Sequence, residues 1–401
     1  MENFSKKNPA FVLGLFETGL GVIRSLGREG IKVYGFDYKK DIAYYSKYVF
    51  PIICPDARNN EEVFINFLIS KAKNFNYKPI LYITSDDFLT AIINNLDEIS
   101  NYFLINSIDK YLYEKIKNKY LQFNLAKEIN IPVPETVVIK NGNLSTGFVN
   151  KLKFPIFIKG LESNQWRNVY GGSKKGFLVN SEQQLIHYLN EIKKKNIDVI
   201  LQEYLDGPDT NHFKFNCYID KKGILRAKFC LQKKRQNPIH FGVGSLVESI
   251  MNPELSEIGE KLFKLINYRG IGSAEFKFDE KNKQYKLIEI NPRYWQQNSL
   301  ATACGINFPL IQYLDLTDQL NENFFDYKVG IKWVNIYSDF DSFLSYRKEG
   351  MLKLSDWLKS LKGKKVFSDW AWDDIIPGFY EIGFGKKIFK IPNYIIKKFL
   401  R

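Results

Sequence analysis

The chain has 401 residues, enough for two or three packed domains, and its 45% hydrophobic and 25% charged content excludes a disordered or fibrous protein. Its formal charge of +14 raises nucleic acid or an anionic membrane as partners, but Lys accompanies abundant Asn, Ile, Phe and Tyr and forms no compact basic block, so no nucleic-acid partner is expected. Four scattered cysteines (Cys54, Cys217, Cys230, Cys304) and three histidines offer no zinc set, and no run reaches the ~18 apolar residues of a membrane span.

Residues 1–9 lead directly into a strand and do not read as a leader, so a cytoplasmic location is expected. Residues 10–15 read as a buried parallel strand, Val22–Arg28 as a helix, and Ile31–Asp37 as a second strand, the start of a βαβ unit. Gly19 and Gly21 permit a tight turn onto the helix N-terminus, where a carboxylate or phosphate can bind. The dinucleotide fingerprint is incomplete, and Asp37 only imitates its ribose-binding acid. Pro79–Thr84 is a further strand followed by a helix; Asp86 and Asp87 either line a crevice or cap that helix, and capping is the expected role. A basic helical stretch runs from about Ser107 to Ile129 and breaks at Ile131-Pro132-Val133-Pro134.

Phe154–Gly160 is an apolar strand closed by Lys159, whose ammonium needs water or an anion at the strand end. Tyr170–Gly176 is a glycine-rich loop able to wrap phosphate, with Ser173 and Lys174 as added donors, although a plain hairpin turn competes and no P-loop pattern is present. Val199–Gly207 is a strand running into a turn. Phe213–Tyr218 and Ile224–Cys230 form a hairpin, the basic cluster Lys233-Lys234-Arg235 follows, and Gly242 and Gly244 allow a close approach to substrate. Residues 253–267 are an amphipathic helix.

Ala274–Asp279 and Leu287–Arg293 alternate apolar and polar residues around a polar turn, the pattern of a β-hairpin. Glu289 and Asn291 share one face, and Glu275 on the neighbouring strand can reach it. Two carboxylates and an amide oxygen suit Mg²⁺, and Arg293 can meet phosphate oxygens, with a solvated hairpin face as the competing role. Tyr294–Ser299 is expected to line a substrate pocket. In the tail 385–401, Ile and Phe are interleaved with Lys, a pattern fit for peripheral membrane contact or, more simply, for docking on the protein's own body.

The order of these segments resembles the ATP-grasp superfamily, in particular its D-aspartate ligase-like carboxylate–amine ligases, over about 107–315 and more loosely over 1–106. The resemblance implies a mixed α/β and α+β architecture: a Rossmann-like N-terminal domain (1–106), an ATP-grasp domain (107–320, lobes 107–205 and 206–320) and a small C-terminal extension (321–401). It implies that Lys119 and Lys159 bind nucleotide phosphate under the loop containing Gly171, Gly172, Ser173 and Lys174. Gln202, Glu203, Tyr204 and Leu205 would read adenine, and Asp209 the ribose. Arg235 and Arg293 would attend the transferred phosphate, and Glu275, Glu289 and Asn291 would hold Mg²⁺ or Mn²⁺. The implied activity is ATP-dependent carboxylate–amine ligation through an acyl phosphate, with a carboxylase, a kinase or a non-catalytic nucleotide-binding protein as alternatives. Its partners would be a small carboxylate and a small amine, including a cell-wall or surface-polysaccharide precursor; the assembly is left open, a dimer included.

Overall fold

The computed structural model describes residues 4–140, 142, 153–171 and 174–380. Strands Ala10–Leu13 (β1), Val33–Asp37 (β2), Phe50–Ile53 (β3) and Ile80–Ile83 (β4) form a parallel sheet in the order β3-β2-β1-β4. β1 and β4 are buried at every position, as expected where helices cover both faces of a parallel sheet. Gly19 and Gly21 lie inside the helix Glu17–Gly27 and serve packing. A Cβ on Gly19 would stand 1.9 Å from the Gly14 carbonyl oxygen, and one on Gly21 2.4 Å from the Asn298 side chain. Asp37 is buried and accepts the Leu15 and Tyr38 N–H groups at 2.7 and 2.8 Å, so its carboxylate ties β2 to the turn after β1.

The basic stretch after residue 107 is two helices, Lys110–Lys117 and Lys119–Glu128. Asn118 separates them: its side chain accepts the N–H groups of Tyr120 and Leu121, both at 3.1 Å, and so caps the second helix. Thr136–Ile139 (β5), Ile156–Gly160 (β6), Phe177–Val179 (β7) and Val199–Glu203 (β8) make an antiparallel sheet ordered β5-β8-β6-β7. It has a core of its own, in which Ile139, Ile158, Trp166, Leu185, Ile192 and Leu201 meet.

The largest sheet comprises His212–Ile219 (β9), Leu225–Asn237 (β10), Val243–Ile250 (β11), Gly270–Asp279 (β12), Gln284–Asn291 (β13), Lys332–Val334 (β14) and Lys365–Phe367 (β15). Its order is β13-β12-β9-β10-β11-β14-β15, so two strands after residue 330 extend the sheet built before it. One buried cluster joins Phe11 and Leu81 of the N-terminal sheet to Phe215 and Leu287 of the largest sheet; another joins Leu20 and Ile23 to Trp295 and Trp333. Arg24 reinforces this union through buried contacts to Asp374 (2.9 Å) and the Asp369 carbonyl (2.8 Å). Residues 385–401 lie outside the described residues.

Candidate nucleotide-binding cleft

A cleft of about 480 Å³ opens between the four-stranded antiparallel sheet and the seven-stranded sheet, with Phe16, Glu17 and Thr18 at its N-terminal side. Nine Lys or Arg side chains line it against five carboxylates, a cationic surface suited to a polyanion. The floor is a row across β9, β12 and β13, where Glu275 is registered with Lys214 on one side and with Glu289 on the other. Residues two apart on these strands (His212 with Lys214, Glu275 with Lys277, Glu289 with Asn291) point the same way, as the pleat requires.

The charges are tightly interlocked. Glu275 meets Lys233 Nζ at 2.5 Å and Lys214 Nζ at 3.6 Å. Burial pushes its carboxyl up, but Lys233 and Lys214 outweigh that and hold it well below the usual range. His212 Nδ1 lies 3.4 Å from Glu275; burial takes its imidazole down to about 4 despite that neighbour, so it is neutral at pH 7. Lys119 Nζ reaches Glu289 at 3.2 Å. Burial, reinforced by Lys119, brings the Lys159 ammonium down to about 8 against the pull of Glu289 and Glu275.

Arg293 grips Asp86 with Nε at 2.6 Å and Nη2 at 3.1 Å. Burial lowers the guanidinium, and Asp86 more than compensates. Asp86 therefore pairs with arginine, while Ser85 is the side chain that caps the helix Asp86–Asn94. Lysine backbone also shapes the rim: Trp166 Nε1 donates to the Lys174 carbonyl at 2.6 Å, and Lys174 Nζ sits 4.0 Å over the Phe177 ring.

The structure brings together Lys119, Lys159, Gly171, Lys174, Gln202, Glu203, Tyr204, Leu205, Glu275, Glu289, Asn291 and Arg293 around this cleft. Gly172 and Ser173 lie outside the described residues. Two expected residues do not line it. Arg235 is turned away: on strict alternation it would share a face with Lys233, but an irregularity after Lys233 shifts the β10–β11 register. Lys233 and Gln236 face the cleft, while Arg235 makes a two-pronged ion pair with Asp339 at 2.8 and 2.7 Å. Asp209 is buried beneath the wall, where it accepts the His240 N–H at 2.8 Å and the Tyr346 hydroxyl.

Lining residues missed in the sequence include Arg167, Lys175, His212, Lys214, Lys233, His240, Phe241 and Lys277. Lys214 and Lys277 carried a usable signal, since each stands between two Phe residues of a strand, where an ammonium requires an anion or an exit to water. From the segment after Arg293, Trp295 and Gln296 line the cleft, while Asn298 is buried and donates to the Thr18 carbonyl at 3.0 Å.

Residues 118–313 match the family model of the carbamoyl-phosphate synthase L chain, ATP binding domain. This chain carries an ATP-grasp domain. Over 275 residues it is 25% identical to D-aspartate ligase of Enterococcus faecium (strain Aus0004), a match covering 66% of this chain and 65% of that protein. It is 28% identical over 202 residues to pyruvate carboxylase of Komagataella pastoris, covering 47% of this chain and 16% of the other. Among solved structures, an ADP complex of N5-carboxyaminoimidazole ribonucleotide synthetase superposes with a TM-score of 0.63 at 13% identity, covering 81% of this chain and 80% of the other. L-amino acid ligase from Bacillus licheniformis gives 0.60 at 12% identity, covering 79% and 77%. These likenesses in fold extend beyond the matched segment, each covering about four-fifths of this chain.

Proposed function

We propose that the protein is an ATP-dependent carboxylate–amine ligase. The observation that carries this is the cleft floor, where the facing carboxylates Glu275 and Glu289 stand among Lys119, Lys159, Lys214 and Lys233. The D-aspartate ligase relative supports the ligase reading and an amino acid as one substrate.

In this scheme Gln202–Leu205, at the end of β8, face the adenine, and Lys119, Lys159 and Lys174 neutralise phosphate oxygens. Glu275, Glu289 and Asn291 fit Mg²⁺ because they supply two carboxylates and an amide oxygen, leaving the remaining ligands to phosphate and water. The bound cation would supply charge neutralisation at the phosphates.

The substrate carboxylate oxygen attacks the γ-phosphorus as the bond to ADP breaks, giving an acyl phosphate. The amine then attacks the acyl carbon, phosphate leaves, and the amine loses a proton as the amide forms. Arg293, held by Asp86, would in this scheme meet the transferred phosphate or the substrate carboxylate. Catalysis in this scheme comes from positioning and preorganised charge, and no protein nucleophile is needed.

The test is ADP release from Mg-ATP across a panel of amino acids, uronic acids and peptide precursors, for the unsubstituted chain, Lys159→Ala and Glu289→Gln. Turnover that requires both a carboxylate and an amine, and is lost in both variants, supports the ligase. Turnover that requires bicarbonate, or a single phosphoryl acceptor with no amine, replaces it with a carboxylase or a kinase.

A further inference from the structure

The helix Ile336–Lys348 and its C-cap Glu349 lie beyond the matched segment 118–313, yet they support one wall of the cleft. Asp339 holds Arg235, and Ser342 Oγ donates to the Gln236 carbonyl at 2.9 Å, so the helix grips the end of β10 from behind. Tyr346 donates its hydroxyl to Asp209 Oδ2, and the same oxygen accepts the His240 N–H at 2.8 Å. The His240 ring is held between two carboxylates: Nδ1 lies 3.5 Å from Asp209 Oδ1, and Nε2 lies 3.0 Å from Glu349 Oε2.

His240 has φ of +69°, a left-handed conformation that non-glycine residues adopt infrequently. The next residue, Phe241, stacks on Phe157 of β6 with ring centroids 4.6 Å apart and an interplanar angle of 15°. Both His240 and Phe241 line the cleft, with the Phe241 ring 6.3 Å from that of Tyr204.

We propose that Tyr346 and Glu349 are positioning residues for nucleotide binding. Tyr346 through Asp209, and Glu349 through the His240 ring, fix residues 238–242 so that His240 and Phe241 form the wall against which the base and ribose of a nucleoside di- or triphosphate rest. The inference depends on the nucleotide-site reading above and adds a part for a segment that the family match does not include.

ADP binding to the full chain, measured by titration calorimetry beside thermal melts, tests it. Tyr346→Phe leaves the buried Asp209 carboxylate short of a donor and is expected to weaken ADP about tenfold. Glu349→Gln acts at a half-exposed pair and is expected to weaken it about two- to threefold, with an unchanged melting midpoint. In a background with His240 and Phe241 both replaced by Ala, neither substitution changes affinity further. Unchanged ADP affinity in both single variants overturns the inference while leaving the nucleotide site standing. Equal weakening in the double-Ala background overturns it too, by assigning the effect to the fold at large. Failure of the unsubstituted chain to bind ADP overturns the nucleotide site and this inference together.

Discussion

Lys159 offers a direct test of the cleft's electrostatics. Its ammonium is brought to about 8 from an ordinary 10.5 by burial and by Lys119. Without ligand, Lys159 is then about half protonated at pH 8 and about one-tenth protonated at pH 9. Nucleotide phosphates beside it favour the charged form and return it toward or above its ordinary value. ADP binding should therefore draw protons from the buffer: about 0.1 per site at pH 7, about 0.5 at pH 8 and about 0.9 at pH 9. Calorimetry in two buffers of different ionisation enthalpy measures this uptake, and Lys159→Met, which cannot titrate, provides the subtraction. An uptake near zero at pH 8 and 9, or one identical in Lys159→Met, refutes the argument.

The same shift has a consequence for stability. Below the folded value both states of the chain carry the charge, but only the folded state buries it. Lys159→Met should therefore stabilise the ligand-free fold by about 1–3 kcal/mol at pH 7, allowing for water at the cleft. The gain is fully present below about pH 8 and fades as pH rises from about 8 toward 10.5. Thermal melts across that range check it.

Other substitutions separate structural from binding roles. Glu275→Gln leaves Lys233 and Lys214 without their shared anion and should destabilise the fold by about 3–5 kcal/mol at neutral pH in denaturant titrations. Because the Glu275 carboxyl is depressed in the fold, that stabilisation is present above about 4.5 and lost as pH falls below it; the difference between parent and variant should shrink in acid. Arg235→Ala strands the buried Asp339 and should also cost about 3–5 kcal/mol, and any loss of ADP affinity in the folded protein should not exceed the roughly tenfold expected of Tyr346→Phe on the same helix. A loss well beyond that would restore Arg235 to the cleft.

Much of the site was legible because strand alternation and lysine placement are local properties. The pair Glu289 and Asn291, and the lysine closing β6, follow from the pleat and from where an ammonium can end. Arg235 was misplaced because a β-bulge reverses which face a residue takes, and nothing in Gln232–Asn237 marks that irregularity. Asp209 has the composition of a ribose ligand but is claimed by Tyr346, 137 residues later, a contact no local pattern reveals. The helix thought continuous to Ile129 is divided by Asn118, whose capping side chain was a readable signal. The membership of β14 and β15 in the largest sheet was not legible, since three-residue strands carry too little periodicity.

The separation of the cores says which way the cleft can open. Most buried residues of β5 to β8 fill a hydrophobic cluster of their own, while Ile200 of β8 joins the cluster that the N-terminal sheet and the seven-stranded sheet share. Swinging the small sheet outward withdraws Ile200 from that shared cluster and breaks the Phe157–Phe241 stack and the ion pair between Lys286 and Glu203 (2.9 Å), while leaving the sheet's own cluster packed. Moving the parallel sheet would expose Phe11, Leu20, Trp295 and their neighbours together. The small sheet is thus the element whose displacement uncovers the least shared core. Hydrogen exchange should find strands β6 and β8 individually well protected, while the amides of Tyr204–Gly207 at their hinge exchange early and become slower when nucleotide holds the cleft shut.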